Sequence, residues 1–164
     1  MQNTTLCYII RQGAEGEEYL MLYRNKKKND LNEGKWVGVG GKFEEGESPE
    51  ECLIREVREE TGLTLTEYTM RGIVTFVSDI WGTEYMFLYT ASSSGEVGEC
   101  AEGELRWIPR EKVLSLPLWE GDKVFLGLIA GEHPFFSLKL SYHGDKLVDV
   151  SLNGDNSGAI GVIL

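Results

Sequence analysis

Three glutamates, Glu56, Glu59 and Glu60, lie three and four residues apart in a segment with a helical pattern. At about 100° per residue they share one stripe of the helix surface. Like charges at these spacings destabilise an isolated helix by some tenths of a kcal/mol per pair, so a compensating positive charge is expected. Carboxylate oxygens favour hard divalent cations such as Mg²⁺ or Mn²⁺. The stripe is therefore either a cation site or a solvated acidic helix face.

The helix that carries this stripe has clear boundaries. Ser48 is a good N-cap, Pro49 suits the first helical position, and Glu51 completes a Ser-x-x-Glu capping box. Gly62 is typical of the residue that ends a helix. The sequence thus predicts a helix from Ser48 to Gly62. A neighbouring stripe of that helix is expected to face the core, and it comprises Leu53, Ile54, Val57 and Thr61.

The segment before the helix extends the pattern. Glycines at Gly40 and Gly41 allow the backbone to approach a bound ion or phosphate closely. From Gly41 onward the chain fills every fixed position of the pattern GX5EX7REUXEEXGU, where U is aliphatic. Those positions are Gly41, Glu47, Arg55, Glu56, Val57, Glu59, Glu60, Gly62 and Leu63. This pattern resembles the Nudix box, and the chain is identified as a member of the Nudix hydrolases.

The resemblance implies an α+β fold, the Nudix α/β/α sandwich around a mixed β-sheet. It implies hydrolysis of a nucleoside diphosphate linked to another group, with Mg²⁺ or Mn²⁺ as cofactor. Glu56, Glu59 and Glu60 match the metal-binding carboxylates, and the carbonyl of Gly40 matches a backbone ligand. Arg55, with Glu47, matches a pair that orients the helix and the preceding loop, and it is assigned to the catalytic site.

A carboxylate must also accept the proton of the attacking water. Glu59 and Glu60 of the box are candidates, and Glu102 is a third because many relatives carry a glutamate a few residues ahead of a tryptophan-bearing strand. In those relatives this glutamate joins the metal site. Glu104 is the second choice for that position, and a solvated loop acid is the alternative for either one.

Two further segments, residues 35–42 (KWVGVGGK) and 118–122 (LWEGD), resemble the MutT-homologue branch of the family. The C-terminal stretch at 135–152 is similar to the closing hairpin of that branch, so the resemblance covers about residues 4–152. That branch hydrolyses oxidised purine nucleoside triphosphates. One of its tryptophans stacks on the purine and nearby acids bond the base edge. Trp119 and Asp122 occupy the matching positions here.

Other positions complete the expected substrate site. Arg24 matches a basic position near the substrate, and Lys42 is assigned to substrate binding with it. An ordinary core residue is the alternative interpretation of Trp119. The chain departs from the animal enzyme of the branch at Val37, which replaces an asparagine, and at Gly121, which replaces one of two adjacent acids. The valine side chain cannot hydrogen-bond a base.

These features together predict a Mg²⁺-dependent hydrolase that cleaves a nucleoside triphosphate to a nucleoside monophosphate and pyrophosphate. An oxidised purine deoxynucleotide such as 8-oxo-dGTP is the expected substrate. The box alone supports hydrolysis of ADP-ribose or a nucleotide sugar equally well. A non-catalytic nucleotide-sensing domain is the third interpretation, although such domains usually lose acids of the box and none is lost here.

Elements along the whole chain must position these residues. We expect strands at 5–11, 18–24, 71–78, 83–91, 105–109, 135–142 and 146–152, and a second helix at 118–130. The glycine-rich tail at 153–164 is expected to be poorly tied down. Without repeats or linkers, residues 1–164 are predicted to form a single domain.

Composition narrows the partners and the compartment. With 27 acidic and 16 basic residues the formal net charge is −11, which argues against binding a nucleic acid polymer and against a polybasic membrane anchor. No stretch approaches the roughly 20 apolar residues of a membrane helix, and we see no signal peptide. Three cysteines without a CxxC pair indicate free thiols, so a cytoplasmic location is expected. The oligomeric state is not indicated.

Overall fold

The computed structural model describes residues 1–26 and 28–155. Its strands are β1 (Gln2–Gly13), β2 (Gly16–Tyr23), β3 (Trp36–Val37), β4 (Thr64–Ser78), β5 (Gly82–Ser94), β6 (Glu104–Pro109), β7 (Phe136–His143) and β8 (Lys146–Leu152). Its helices are α1 (Pro49–Thr61), α2 (Arg110–Val113) and α3 (Glu120–Ala130). The strands form one sheet in the order β3-β2-β1-β5-β4-β7-β8, and β6 pairs with β2 beside this path.

Strand β1 lies in the interior of the sheet and contributes to its mixed character. It runs parallel to β5 over Gln2 to Ile9 and antiparallel to β2 from Ile10 onward. Strand β4 likewise pairs antiparallel with β5 and parallel with β7. Because successive strand residues point to opposite faces, Tyr8 enters one hydrophobic core while Cys7 and Ile9 enter another.

The helices cover these two faces separately. Leu53 and Val57 of α1 pack into the core that contains Cys7 and Ile9. Residues of α3, among them Phe125, pack into the core that contains Tyr8. The helix layers on the two sides of a mixed sheet confirm the predicted α/β/α sandwich.

Helix α1 ends where the sequence predicts. The Ser48 Oγ accepts a hydrogen bond from the Glu51 amide at 3.1 Å, and the Glu51 carboxylate accepts one from the Ser48 amide at 3.0 Å. Gly62 closes the helix in the left-handed region, at φ 77°. The core assignment of Ile54 was wrong, because its position lies beyond the buried face and leaves the residue 44% exposed. Cys52 is buried on that helix instead.

Other elements differ from expectation at their ends. Helix α3 begins at Glu120 and not at residue 118, because Trp119 is its extended N-cap residue. The short helix α2 was not predicted from the sequence. Of the predicted loose tail, Asn153 is fixed by two hydrogen bonds to the Ser137 backbone, and residues 156–164 lie outside the described part. The three cysteines are free and buried, as expected. Among the described helices, none is long and apolar enough to cross a membrane.

Candidate active site

A cavity of about 570 Å³ brings together most of the predicted site residues. One set of its lining residues, here called the acidic part, comprises Gly40, Gly41, Glu56, Glu60 and Glu102. A second set, here called the aromatic part, comprises Asn32, Phe76, Glu84, Trp119 and Asp122. Arg24 and Lys42 line the same cavity, whereas Glu59 is not among its lining residues.

The backbone of the glycine-rich loop is held tightly against β1. The Thr5 amide donates a hydrogen bond to the Gly41 carbonyl at 2.9 Å. A Cβ atom on Gly40 would lie 1.9 Å from the Thr5 carbonyl oxygen, so a side chain cannot fit at this position. This close approach brings the backbone of Gly40 to the cavity, where the sequence predicts a carbonyl ligand.

Glu60 is an acid of the cavity whose carboxylate is not fully satisfied by hydrogen bonds. Its Oε2 atom is buried and has no hydrogen-bond partner among the described residues. Burial and the negative charges of Glu102 and Glu56 raise the pKa of Glu60 to about 8, against the opposing effects of the Gly40 backbone and Arg24. A cation placed beside these carboxylates would favour the ionised form.

Arg55 supplies the positive charge that the acidic stripe requires. Its Nε and Nη2 atoms donate to the Glu47 carboxylate at 2.7 and 2.9 Å. Its Nη1 atom donates to Glu56 at 2.7 Å and to Glu59 at 3.2 Å, and Nη2 also reaches the Lys42 carbonyl at 3.0 Å. The hydrogen bonds from Arg55 lower the pKa of Glu47 to about 2. The guanidinium thereby fixes the loop that precedes the helix, residues 42–48 and here called the box loop, to α1.

The donor set fits a hard cation, but the side chains are paired with arginines in this conformation. Within residues 1–26 and 28–155 no three acidic side chains converge into a ready metal cluster. Glu56 is held by Arg55, and Glu102 accepts a hydrogen bond from Arg24. Carboxylates and a backbone carbonyl are oxygen ligands of the kind that Mg²⁺ prefers. The unpartnered Glu60 oxygen is available as such a ligand. A bound cation would compete with the arginines for these acids.

Arg24 is fixed at the wall of the cavity by two acids. Its Nε atom donates to Asp30 at 3.0 Å and its Nη1 atom donates to Glu102. Glu104, the second choice for the loop acid, lies outside the lining, is half exposed and pairs with Arg106 at 3.6 Å. Of the two loop candidates, Glu102 is therefore the one that the structure brings to Glu60.

Trp119 belongs both to the core and to the cavity wall. It is 3% exposed, and its Nε1 atom donates to Asn32 at 2.9 Å. The Lys35 ammonium lies 4.4 Å from its ring centroid, and the rings of Phe76 and Tyr142 meet it edge to face. The indole is thus held rigidly, with little of its surface free in this conformation.

Asp122 is buried in the aromatic part of the cavity. Its exposed fraction is 5%. Burial raises its pKa to about 8, Lys35 opposes the rise, and the charge of Glu84 adds to it. At neutral pH the side chain is therefore largely protonated and can donate as well as accept a hydrogen bond.

Sequence reasoning missed several residues of this wall: Thr4, Asn32, Phe76, Trp81 and Glu84. They come from separate strands and loops, so no local spacing connects them. A weak signal existed for Glu84, which is the one charged residue in the strand predicted at 83–91.

The sheet, the two helix layers and the acidic helix at the cavity define a hydrolase of the Nudix type. The sequence model of the NUDIX domain matches residues 2–128, and the chain belongs to the Nudix family. Enzymes of this family generally use divalent metal ions.

Relatives and solved structures agree with this assignment. The chain is 39% identical to an uncharacterized Nudix hydrolase, YvcI, of Bacillus subtilis, over 74% of this chain and 75% of the relative. It is 31% identical to an oxidized purine nucleoside triphosphate hydrolase of Danio rerio, over 77% and 83%. The crystal structure of a MutT protein from Bacillus halodurans superposes with a TM-score of 0.81 at 28% identity, over 94% of this chain and 99% of that one.

Proposed function

We propose that the chain is a Mg²⁺-dependent pyrophosphohydrolase that converts a nucleoside triphosphate to a nucleoside monophosphate and pyrophosphate. An oxidised purine deoxynucleotide such as 8-oxo-dGTP is the proposed substrate. The observation that carries the proposal is the single cavity that contains both the acidic part and the aromatic part. One nucleotide can place its phosphates against the first and its base against the second. The name of the Danio rerio relative supports this substrate class.

The acidic part would hold the metal. Glu56, Glu60 and Gly40 line the cavity, Glu102 stands beside Glu60, and Glu59 is available from the exposed side of α1, so these carboxylates and the Gly40 carbonyl would be the ligands. When bound, Mg²⁺ neutralises phosphate charge and makes a water more acidic. Mn²⁺ has the same ligand preferences and would serve as a substitute.

The remaining chemistry falls to side chains of this protein. Arg24 and Lys42 line the cavity and would attract the phosphates. Arg55 positions the box loop and α1 through Glu47. A carboxylate among Glu59, Glu60 and Glu102 would take the proton of the attacking water. Trp119 and Asp122 would contact the base.

A substrate panel tests this proposal. The purified protein is incubated with Mg²⁺ and with dGTP, 8-oxo-dGTP, other nucleoside triphosphates, ADP-ribose and a nucleotide sugar, and the products are identified. We expect monophosphate and pyrophosphate from the oxidised purine triphosphate at the highest kcat/KM. Preferential cleavage of ADP-ribose or the nucleotide sugar would replace the proposed substrate class. Binding without any cleavage would indicate a sensing domain.

A further inference from the structure

Glu84 occupies a place in the cavity wall where its orientation is fixed. It lies on β5 next to β1, and the Thr4 hydroxyl of β1 donates to its Oε2 atom at 3.0 Å. Both residues line the cavity. Its Oε1 atom has no hydrogen-bond partner among the described residues. One carboxylate oxygen is thus anchored and the other is free to accept.

Glu84 has no structural ion pair that would account for a partly buried carboxylate. In the described part of the chain no basic side chain lies within 4 Å of it, and Lys42 acts on it only at longer range. Burial raises the pKa of Glu84, while the Thr4 hydrogen bond and Lys42 lower it. Burying such a group costs stability, and groups of this kind in a cleft are candidates for function.

A second carboxylate stands close enough to interact with it. Asp122 lines the same cavity, and the charge of Glu84 contributes to the raised pKa of Asp122. Two carboxyl groups in one site resist ionising together, so one of them retains a proton. Thr4 and Lys42 favour the ionised form of Glu84. Of the two, Glu84 is therefore the one whose surroundings favour a hydrogen-bond acceptor.

The position beside Asp122 cannot supply this acceptor. The Gly121 amide donates to the Tyr142 hydroxyl at 2.7 Å, and a Cβ atom on Gly121 would lie 2.5 Å from that oxygen. An acid at 121 would require Tyr142 to move. The second carboxylate of the aromatic part comes from β5 instead.

Resting on the proposed function, we infer that Glu84 is a specificity-determining residue whose carboxylate accepts a hydrogen bond from the exocyclic amino group of a purine held in the aromatic part. The amino group belongs to the 2-position of a guanine-type base or to the 6-position of an adenine-type base. A site built to accept from an N–H discriminates against the analogue that lacks it, because the buried acceptor is left unpaired.

The test compares nucleotides that differ by this group alone. Values of kcat/KM are measured for dGTP against dITP and for dATP against the 6-unsubstituted purine deoxynucleotide. The wild type is expected to favour the amino-bearing member of one pair by at least about tenfold. Glu84→Gln should bring that ratio within about threefold of unity, mainly by slowing the amino-bearing member. Glu67→Gln, a matched change at an exposed position of the same hairpin, should keep the wild-type ratio.

Thr4→Val provides a second variant, since it removes the hydroxyl that anchors Oε2, and it should lower the same ratio. Absence of discrimination by the wild type in both pairs would overturn the role of Glu84, and so would an unchanged ratio in Glu84→Gln. If the wild type hydrolyses no triphosphate, the proposed function fails separately. Calorimetric binding of dGMP against dIMP and of dAMP against its 6-unsubstituted analogue then gives the same comparison without turnover.

Discussion

Two carboxyl groups in one cavity have the same raised pKa, about 8, for different reasons. For Glu60, burial is joined by two neighbouring carboxylates, Glu102 and Glu56. For Asp122, burial acts with one carboxylate, Glu84, and against the ammonium of Lys35. The acidic part thus places its buried acid beside two further carboxylates, whereas the aromatic part places its buried acid within a packed wall beside a lysine.

This difference separates two tasks. A cluster of like charges gains from an added cation, which makes ionised carboxylates favourable. A neutral acid among aromatic rings gains nothing from a cation and is suited to hydrogen-bonding an uncharged base. Catalysis and selectivity are therefore expected to respond differently to substitution, to pH and to Mg²⁺.

The largest effect is expected from Glu60→Gln. Neutralising this acid should lower kcat/KM by about 10²–10⁴-fold, because it removes a proposed metal ligand and candidate base. The fold should persist, since the carboxyl group that is replaced has a buried oxygen without a hydrogen-bond partner. Glu59→Gln should act in the same direction, and Glu104→Gln, an exposed acid outside the cavity, should retain wild-type activity. Near wild-type turnover in both box variants would contradict the metal assignment.

A smaller effect, on stability, is expected from Asp122→Asn. An aspartate has a pKa of about 3.9 in the unfolded chain, and the folded value here is about 8. The neutral form therefore contributes stability that is complete below about pH 4 and is lost as the pH rises through about 8. The asparagine variant lacks this dependence.

Urea unfolding at pH 5 and pH 9 measures the difference. Relative to Asp122→Asn, the free energy of unfolding of the wild type should fall by about 3 kcal/mol between these pH values. The upper limit is about 1.4 kcal/mol for each pH unit between pH 5 and the folded pKa of about 8. Mg²⁺ should leave this loss unchanged, because the metal is proposed to bind in the acidic part. Parallel curves for the two proteins would show that Asp122 is ionised in the folded state.

The smallest effect concerns Arg55, which neutralises the acidic stripe. Arg55→Met should lower the free energy of unfolding by about 1–2 kcal/mol in the presence of a chelator, since several charge-assisted hydrogen bonds are lost from a partly exposed site. Arg55→Lys retains the charge without the paired geometry and should lose less. Saturating Mg²⁺ should reduce both losses, and equal losses with and without Mg²⁺ would refute the idea that arginine and metal serve the same carboxylates.

The sequence was informative where structure is local. The capping box, the Gly62 stop and the spacing from Arg55 to Glu59 depend on neighbours within one or two turns, and each is present. Ile54 was misplaced because helical periodicity alone does not determine how far a buried face extends.

Residues such as Asn32 and Glu84 could not be assigned from the sequence, because only strand pairing and loop packing bring them to Trp119 and Asp122. Their chemistry depends on burial and on neighbours that are distant in the chain. The composition of the aromatic part could therefore not be predicted from the sequence alone.

The interior position of β1 has a consequence for how the protein folds. Thr4 pairs in parallel with Met86 on β5 and is bridged to Lys42 on its other side, so the cavity wall joins early and late segments of the chain. Folds dominated by such distant pairings form more slowly than helical bundles, because long loops must close first. During synthesis the complete box motif precedes β5, β6 and α3, and the earliest chain that contains the motif does not yet contain the site.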